Sequence, residues 1–307
     1  MAFRNRTFIC GAVLVAALWL FEVLPTAQAS KGKTIEQAYP GLASGILKAA
    51  RLDTLDKGVV LKTDGLQIDE NSLGQILSEA DPKLRPQYEK NLFFITEQEA
   101  LEKILLLEAR KSGADTDGSP TEVIMSFLSK KVSGTTVSED EVKSFYDENK
   151  AGLGGASFEQ VKDGINQYLL EKKKHETILA YVESLGEQLN IRLDAKWVEK
   201  QNELSRDNPV DKARSSGKPT MAEFGATGCV PCDMMQPVLD NLRKKYQDRV
   251  NIVFVHVGEE QILGARYGIT SIPVQAFFDH SGKEVFRHTG FFAQVEVEKK
   301  LAEMGEN

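Results

Sequence analysis

Residues 223–232 read Glu-Phe-Gly-Ala-Thr-Gly-Cys-Val-Pro-Cys, and the Cys-X-X-Cys that closes the stretch decides how the second half of the chain is read. Three readings compete for it: a redox pair, half of a metal site, or two buried thiols. Gly228 and Pro231 place the pair in a turn at a helix start, since proline suits a first helical turn, where a missing amide proton is harmless. Inert core thiols do not fit there. A helix start offers unpaired amide donors and the positive end of the dipole, and a thiol reacts as its thiolate. Cys229 is therefore the expected nucleophile, acidic and accessible. Cys232, one turn further in, is expected to be shielded and placed to attack a mixed disulfide formed at Cys229. A structural zinc site wants four ligands, and His256, His280 and His288 show no ligand spacing, so neither a metal nor another cofactor is expected.

Outward from the pair, short strands and helices alternate. Residues 220 to 224 predict a strand, 231 to 246 a helix, 251 to 257 a strand and 259 to 267 a short helix. Residues 274 to 279 and 284 to 288 then predict a hairpin around His280-Ser-Gly-Lys283, and 293 to 304 a final amphipathic helix. Residues 218–307 thus read as an α/β domain. The polar, Asn208-Pro209-containing stretch before it, 196–217, reads as a linker.

This domain resembles thioredoxin over residues 218 to 305. Glu223 occupies the place of the family's buried acidic residue, which manages the proton of the resolving thiol. Pro237 matches the proline that kinks the active-site helix. Ser271-Ile272-Pro273-Val274 matches the loop whose cis-proline faces the disulfide, so the resemblance implies that Ile272 and Pro273 align a client backbone. Gly290 matches a glycine near the substrate groove. Gly228 stands where thioredoxins usually carry tryptophan. The histidine found between the cysteines of strongly oxidising relatives is missing from Val230-Pro231, which favours a reductase or isomerase direction over disulfide donation.

The chain has 307 residues, 41% of them hydrophobic and 27% charged, which suits two folded units. A net charge of -7 speaks against nucleic-acid binding, and the one dense basic run, Glu171-Lys-Lys-Lys-His175, reads as the wet side of a helix. At the N-terminus, Arg4 and Arg6 precede an apolar stretch from Phe8 to Leu24, then Pro25 and Ala27-Gln28-Ala29. That order predicts an export signal over 1–29, cleaved near Ala29, and hence a periplasmic or other extracytoplasmic location; the alternative is an uncleaved anchor. Cys10 would leave with the signal. Cys229 and Cys232 would be the cysteines that remain.

Between signal and linker, residues 30–54 read as a polar lead-in and 55–195 as a mostly helical domain. Asp64-Gly65 predicts a hairpin turn between two short apolar runs. Leu73, Ile76 and Leu77 stripe a helix that ends near Asp81-Pro82. Capping boxes at Thr96–Glu99, Ser138–Glu141 and Ser157–Gln160 each predict a helix start. The last helix is expected to run on through Leu185 and Leu189. Ser138-Glu-Asp-Glu-Val-Lys-Ser-Phe-Tyr-Asp-Glu-Asn-Lys150 and Phe158-Glu-Gln-Val-Lys-Asp-Gly-Ile-Asn-Gln-Tyr-Leu170 resemble the chaperone domain of SurA-type periplasmic folding factors. In that family the helices cradle unfolded clients. The six residues between Lys150 and Ser157 are too few for the family's parvulin domain, so prolyl isomerisation is not expected. Together the two resemblances imply an exported thiol-disulfide oxidoreductase acting on unfolded or cysteine-containing clients, with a membrane thiol relay as the implied electron source. The alternative is a non-enzymatic chaperone with a thioredoxin-like docking module.

Overall fold

The computed structural model of the chain describes residues 32–113 and 117–306. The export signal expected over residues 1–29 lies outside the described residues. Among the described residues, no helix is long and apolar enough to cross a membrane.

The N-terminal part is largely helical. It runs α1 (Ile35–Ala38), β1 (Arg51–Asp53), β2 (Val59–Thr63), β3 (Leu66–Asp69), α2 (Glu70–Glu79), α3 (Arg85–Lys90), α4 (Leu92–Lys111), α5 (Pro120–Val132), α6 (Glu139–Asn149), α7 (Phe158–Gln188) and β4 (Arg192–Asp194). The hairpin forms where Asp64-Gly65 predicts it, with Gly65 at φ +81. It belongs to a four-stranded sheet in the order β1-β4-β2-β3. In that sheet Arg51-Leu-Asp53 pairs in parallel with Arg192-Leu-Asp194, two runs too short to carry a readable period.

Residues 30–54 are not merely a polar lead-in: Ile35, Leu42, Ala43, Ile46, Leu47 and Ala50 are buried in the main core. Their scattering between glycines and polar residues hides them from a periodicity argument. The box at Thr96–Glu99 does not open a helix, because α4 already starts at Leu92. Thr96 instead donates its hydroxyl to the Leu92 carbonyl at 2.8 Å. Glu97 is buried and accepts the amides of Ser44 (2.9 Å), Gly45 (2.9 Å) and Leu47 (3.2 Å) and the Ser44 hydroxyl (2.9 Å). The stretch expected as a linker is folded as well. Residues 196–217 hold most of α8 (Ala195–Ser205) and all of α9 (Pro209–Arg214), with Trp197, Val198 and Val210 buried. Asn208-Pro209 acts as a helix start: the Asn208 side chain accepts the amides of Val210 and Asp211, both at 3.0 Å, ahead of a proline in the first turn.

The C-terminal part runs β5 (Thr220–Gly225), α10 (Val230–Lys245), β6 (Asn251–His256), α11 (Gln261–Arg266), β7 (Val274–Phe278), β8 (Glu284–Thr289) and α12 (Gln294–Glu303). Its mixed sheet has the order β6-β5-β7-β8, with β5 parallel to β6 and antiparallel to β7. Side chains alternate across the central strand β5. Met221 joins Met235, Leu239, Leu242, Val297 and Leu301 beneath α10 and α12, while Ala222 and Phe224 join Val255, Leu263 and Phe278 on the other face.

Polar ties join the two parts. Gln87 of α3 donates to the Glu259 carbonyl at 2.6 Å and accepts the Ile262 amide at 3.1 Å. Lys90 pairs with Asp207 at 2.8 Å. Asp211 of α9 is buried and pairs with Arg266 at 2.8 Å and Arg214 at 3.1 Å, while accepting the Tyr267 hydroxyl at 2.8 Å.

Candidate active site

β5 ends at Gly225 and the chain turns through Thr227 and Gly228, the latter at φ +81, before α10 begins. That angle suits glycine, and it brings the chain round to make Cys229 the N-cap residue. A disulfide joins Cys229 to Cys232, their Cα atoms 5.2 Å apart. Cys229 Sγ accepts the Cys232 amide at 3.4 Å, so one of the helix's unpaired donors points at this sulfur. The two residues differ in exposure. Cys229 is half-buried, whereas Cys232 is 1% exposed. Val230 and Pro231 form the first turn, and Pro237 lies inside the same helix, where it supplies no amide for the Asp233 carbonyl.

The register of the sheet brings the remaining predicted residues to this end. Phe224 pairs with Val274, and Val274 with Thr289. Pro273, just before Val274, therefore sits level with Gly225, and Gly290 follows directly beyond Thr289. The Ile272–Pro273 peptide bond is cis. Gly290, at φ +101, donates its amide to the Pro273 carbonyl at 2.8 Å.

Glu223 is fully buried on the central strand. It lies between Met221 and Gly225 on the face under α10, and a Cβ at Gly225 would stand 3.5 Å from Cys232 Sγ. The carboxyl thus lies on the strand face beneath Cys232. Both its oxygens are buried without a hydrogen-bond partner among the described residues. Burial pushes its pKa up to about 7, with the neighbouring Gln275 side chain holding back a smaller part of the rise. Such a carboxyl can exchange a proton near neutrality, which an exposed glutamate does not.

Gln275, which no sequence motif singles out, and His256, weighed from sequence only as a zinc ligand, also belong to this region. Gln275 lies opposite Glu223 in the β5–β7 register, is fully buried, and donates to the Gly290 carbonyl at 3.2 Å. It sits between the acidic residue and the strand ends; its place two residues after Pro273 was the available signal. His256 closes β6 beside Gly225 and contacts the turn that leads into Cys229. The other two histidines of the C-terminal part serve elsewhere: His280 lies 3.0 Å from the Gly217 carbonyl, and His288 stacks on Phe292 at 4.2 Å. Among the described residues, no three His, Cys, Asp or Glu side chains gather to hold a metal ion.

The sequence matches a family described as thioredoxin-like domain over residues 207–305. A thioredoxin of Alicyclobacillus acidocaldarius is 31% identical over 98 residues, covering 32% of this chain and 92% of that protein. The chloroplastic thioredoxin-like protein HCF164 of Oryza sativa is 36% identical over 96 residues, 30% of this chain and 36% of that protein. A thiol:disulfide interchange protein TxlA homolog of Synechocystis is 27% identical over 115 residues, 37% of this chain and 64% of that protein. The chain therefore spans about a third of the HCF164 relative's length but nearly the whole of the bacterial thioredoxin.

Proposed function

The chain belongs to the thioredoxin family, and from that premise we propose that it is a thiol-disulfide oxidoreductase working in the reductase or isomerase direction on cysteine-containing client proteins. The observation that carries this reading is the asymmetric pair at the start of α10: one sulfur within reach of solvent and of a helix amide, the other buried. In the reduced protein, Cys229 attacks one sulfur of a client disulfide as the thiolate. That S–S bond breaks, the client's other sulfur leaves as a thiolate, and a mixed disulfide forms. Cys232 gives its proton to the Glu223 carboxylate and attacks Cys229 Sγ. The second client thiolate leaves, and both client sulfurs take up protons. Two electrons pass to the client, and the pair ends as the disulfide. Pro273, Ile272 and Gly290 line up the client backbone beside the sulfurs. A dithiol donor, for an exported chain a membrane thiol relay, returns the electrons.

The helical part is proposed to hold unfolded clients near this pair, which raises their effective concentration. A groove of about 510 Å3 between α2, α8 and the start of α4 supports this, with Leu73, Leu77, Leu92 and Trp197 in its lining. Gln201 also lines it, and its Oε1 is buried without a partner among the described residues, as suits an acceptor for an extended client's amide. Reduction of insulin disulfides tests the chemistry. Cys229→Ser is expected to abolish it, while Cys232→Ser accumulates mixed disulfides at Cys229. Full activity in Cys229→Ser would end the assignment. Aggregation suppression unchanged in the double-serine variant, with no reductase activity in the native chain, would select a chaperone with a docking module.

A further inference from the structure

We infer that His256 is a positioning residue for the redox pair: its neutral imidazole holds the Thr227 amide and so fixes where Cys229 presents its sulfur. The inference rests on the oxidoreductase reading above. The Thr227 amide donates to His256 Nε2 at 3.1 Å, and the Thr227 hydroxyl oxygen lies 3.1 Å from the same nitrogen. A backbone N–H can only donate, so Nε2 offers its lone pair and the ring proton resides on Nδ1. That Nδ1 is buried and has no partner among the described residues. The ring thus gives up one hydrogen bond of its own while it anchors the turn.

The pocket around the ring is tight. Phe254 stands edge-on at 6.4 Å between ring centroids. A Cβ on Gly258 would lie 3.1 Å from His256 Cε1, and one on Gly225 would lie 3.1 Å from the Phe254 ring. Two glycines therefore leave the space that the two rings fill. The main chain of His256 is held from behind as well, since its carbonyl accepts the amides of Glu259 at 3.0 Å and Glu260 at 2.9 Å. Gln87 braces the same turn from α3. The acceptor is consequently fixed from both sides, and Thr227 is only two residues from the nucleophile.

In the disulfide, the S–S bond itself pins Cys229 against Cys232. Once that bond opens, the Thr227 anchor is what holds the incoming turn, and through it keeps the sulfur beside the amides of α10. Without the anchor the thiolate drifts from the donors that stabilise it. The reduced form then loses stability relative to the disulfide.

The test equilibrates the full chain with glutathione, in which the protein disulfide and two glutathione thiols exchange for the protein dithiol and one glutathione disulfide. His256→Phe keeps the ring's bulk without an acceptor. It should shift the equilibrium toward the protein disulfide about tenfold, about 30 mV, and slow alkylation of Cys229. His256→Gln places an amide oxygen near the Nε2 position and should restore both to within about twofold of the native values. An unchanged Phe variant, or Phe and Gln variants that shift alike, would overturn the inference. If the Phe variant does not fold, His256→Asn takes its place: its amide falls short of Thr227, so Asn must shift the equilibrium where Gln does not. A native chain that fails to exchange with glutathione at all would overturn the oxidoreductase reading instead.

Discussion

Glu223 couples the stability of the fold to proton uptake. Its carboxyl titrates at about 7 in the folded chain against 4.5 for the free side chain, so the native state holds this proton more tightly than the unfolded one. The associated stability is complete below about pH 4.5, declines as pH rises, and is lost above about pH 7, a difference of roughly 3 kcal/mol. Glu223→Gln buries no charge and should remove that slope. Urea unfolding of the disulfide form should find the variant similar to the native chain at low pH and more stable by about 3 kcal/mol at pH 8; parallel slopes would refute this. Local rules made the pair legible, because two cysteines, a proline and a glycine define a helix start by themselves. Gln275 and His256 stayed hidden for a different reason. Each matters through a cross-strand neighbour, and register is a property of the sheet and not of either strand.

Elements with strong local signals form close to where the sequence puts them. Ser138 donates its amide and hydroxyl to Glu141 at 2.9 and 3.0 Å, and Ser157 does the same to Gln160 at 2.8 and 2.9 Å. Thr96–Glu99 has the same pattern but a different fate, because Leu92, Phe93 and Ile95 extend the apolar run upstream and burial of Phe93 outweighs a cap. Glu97 then serves as a counterpart for the amides of the 44–47 turn, a partnership across more than fifty residues that no local pattern reveals. Packing also sets a strict limit at Gly186 of α7, where an added Cβ would stand 2.3 Å from the Ile46 carbonyl oxygen. Both sides of that contact are backbone. Gly186→Ala should cost about 2–3 kcal/mol of unfolding free energy, measured in urea, despite alanine's better helix propensity. A neutral or stabilising outcome would mean that α7 can move off the 44–47 turn freely.

At the level of the whole molecule, the segment between the two parts decides how they behave. Composition alone makes 196–217 look like a tether, since its polar residues outnumber its apolar ones. The apolar few are the ones that pack: Trp197 stacks on Phe93 with ring centroids 6.2 Å apart, and Val210 is fully buried against the second sheet. Asp211 is closed off by two arginines and a tyrosine. Limited proteolysis of the folded chain should therefore leave 196–217 uncut, and early cleavage there would contradict the helical joint. The long helix α7 has its own bearing on the assembly. Its 31 residues extend about 46 Å. Its outer half meets α6 through a small satellite cluster, Val142, Tyr146 and Ile165, and a Lys173–Glu141 ion pair at 2.6 Å, while Val182 and Leu185 sit in the main core. The helix is thus a lever arm, lightly loaded at the tip and clamped at the root, so a pull on the tip is delivered as torque to the wedge between Gly186 and Ile46.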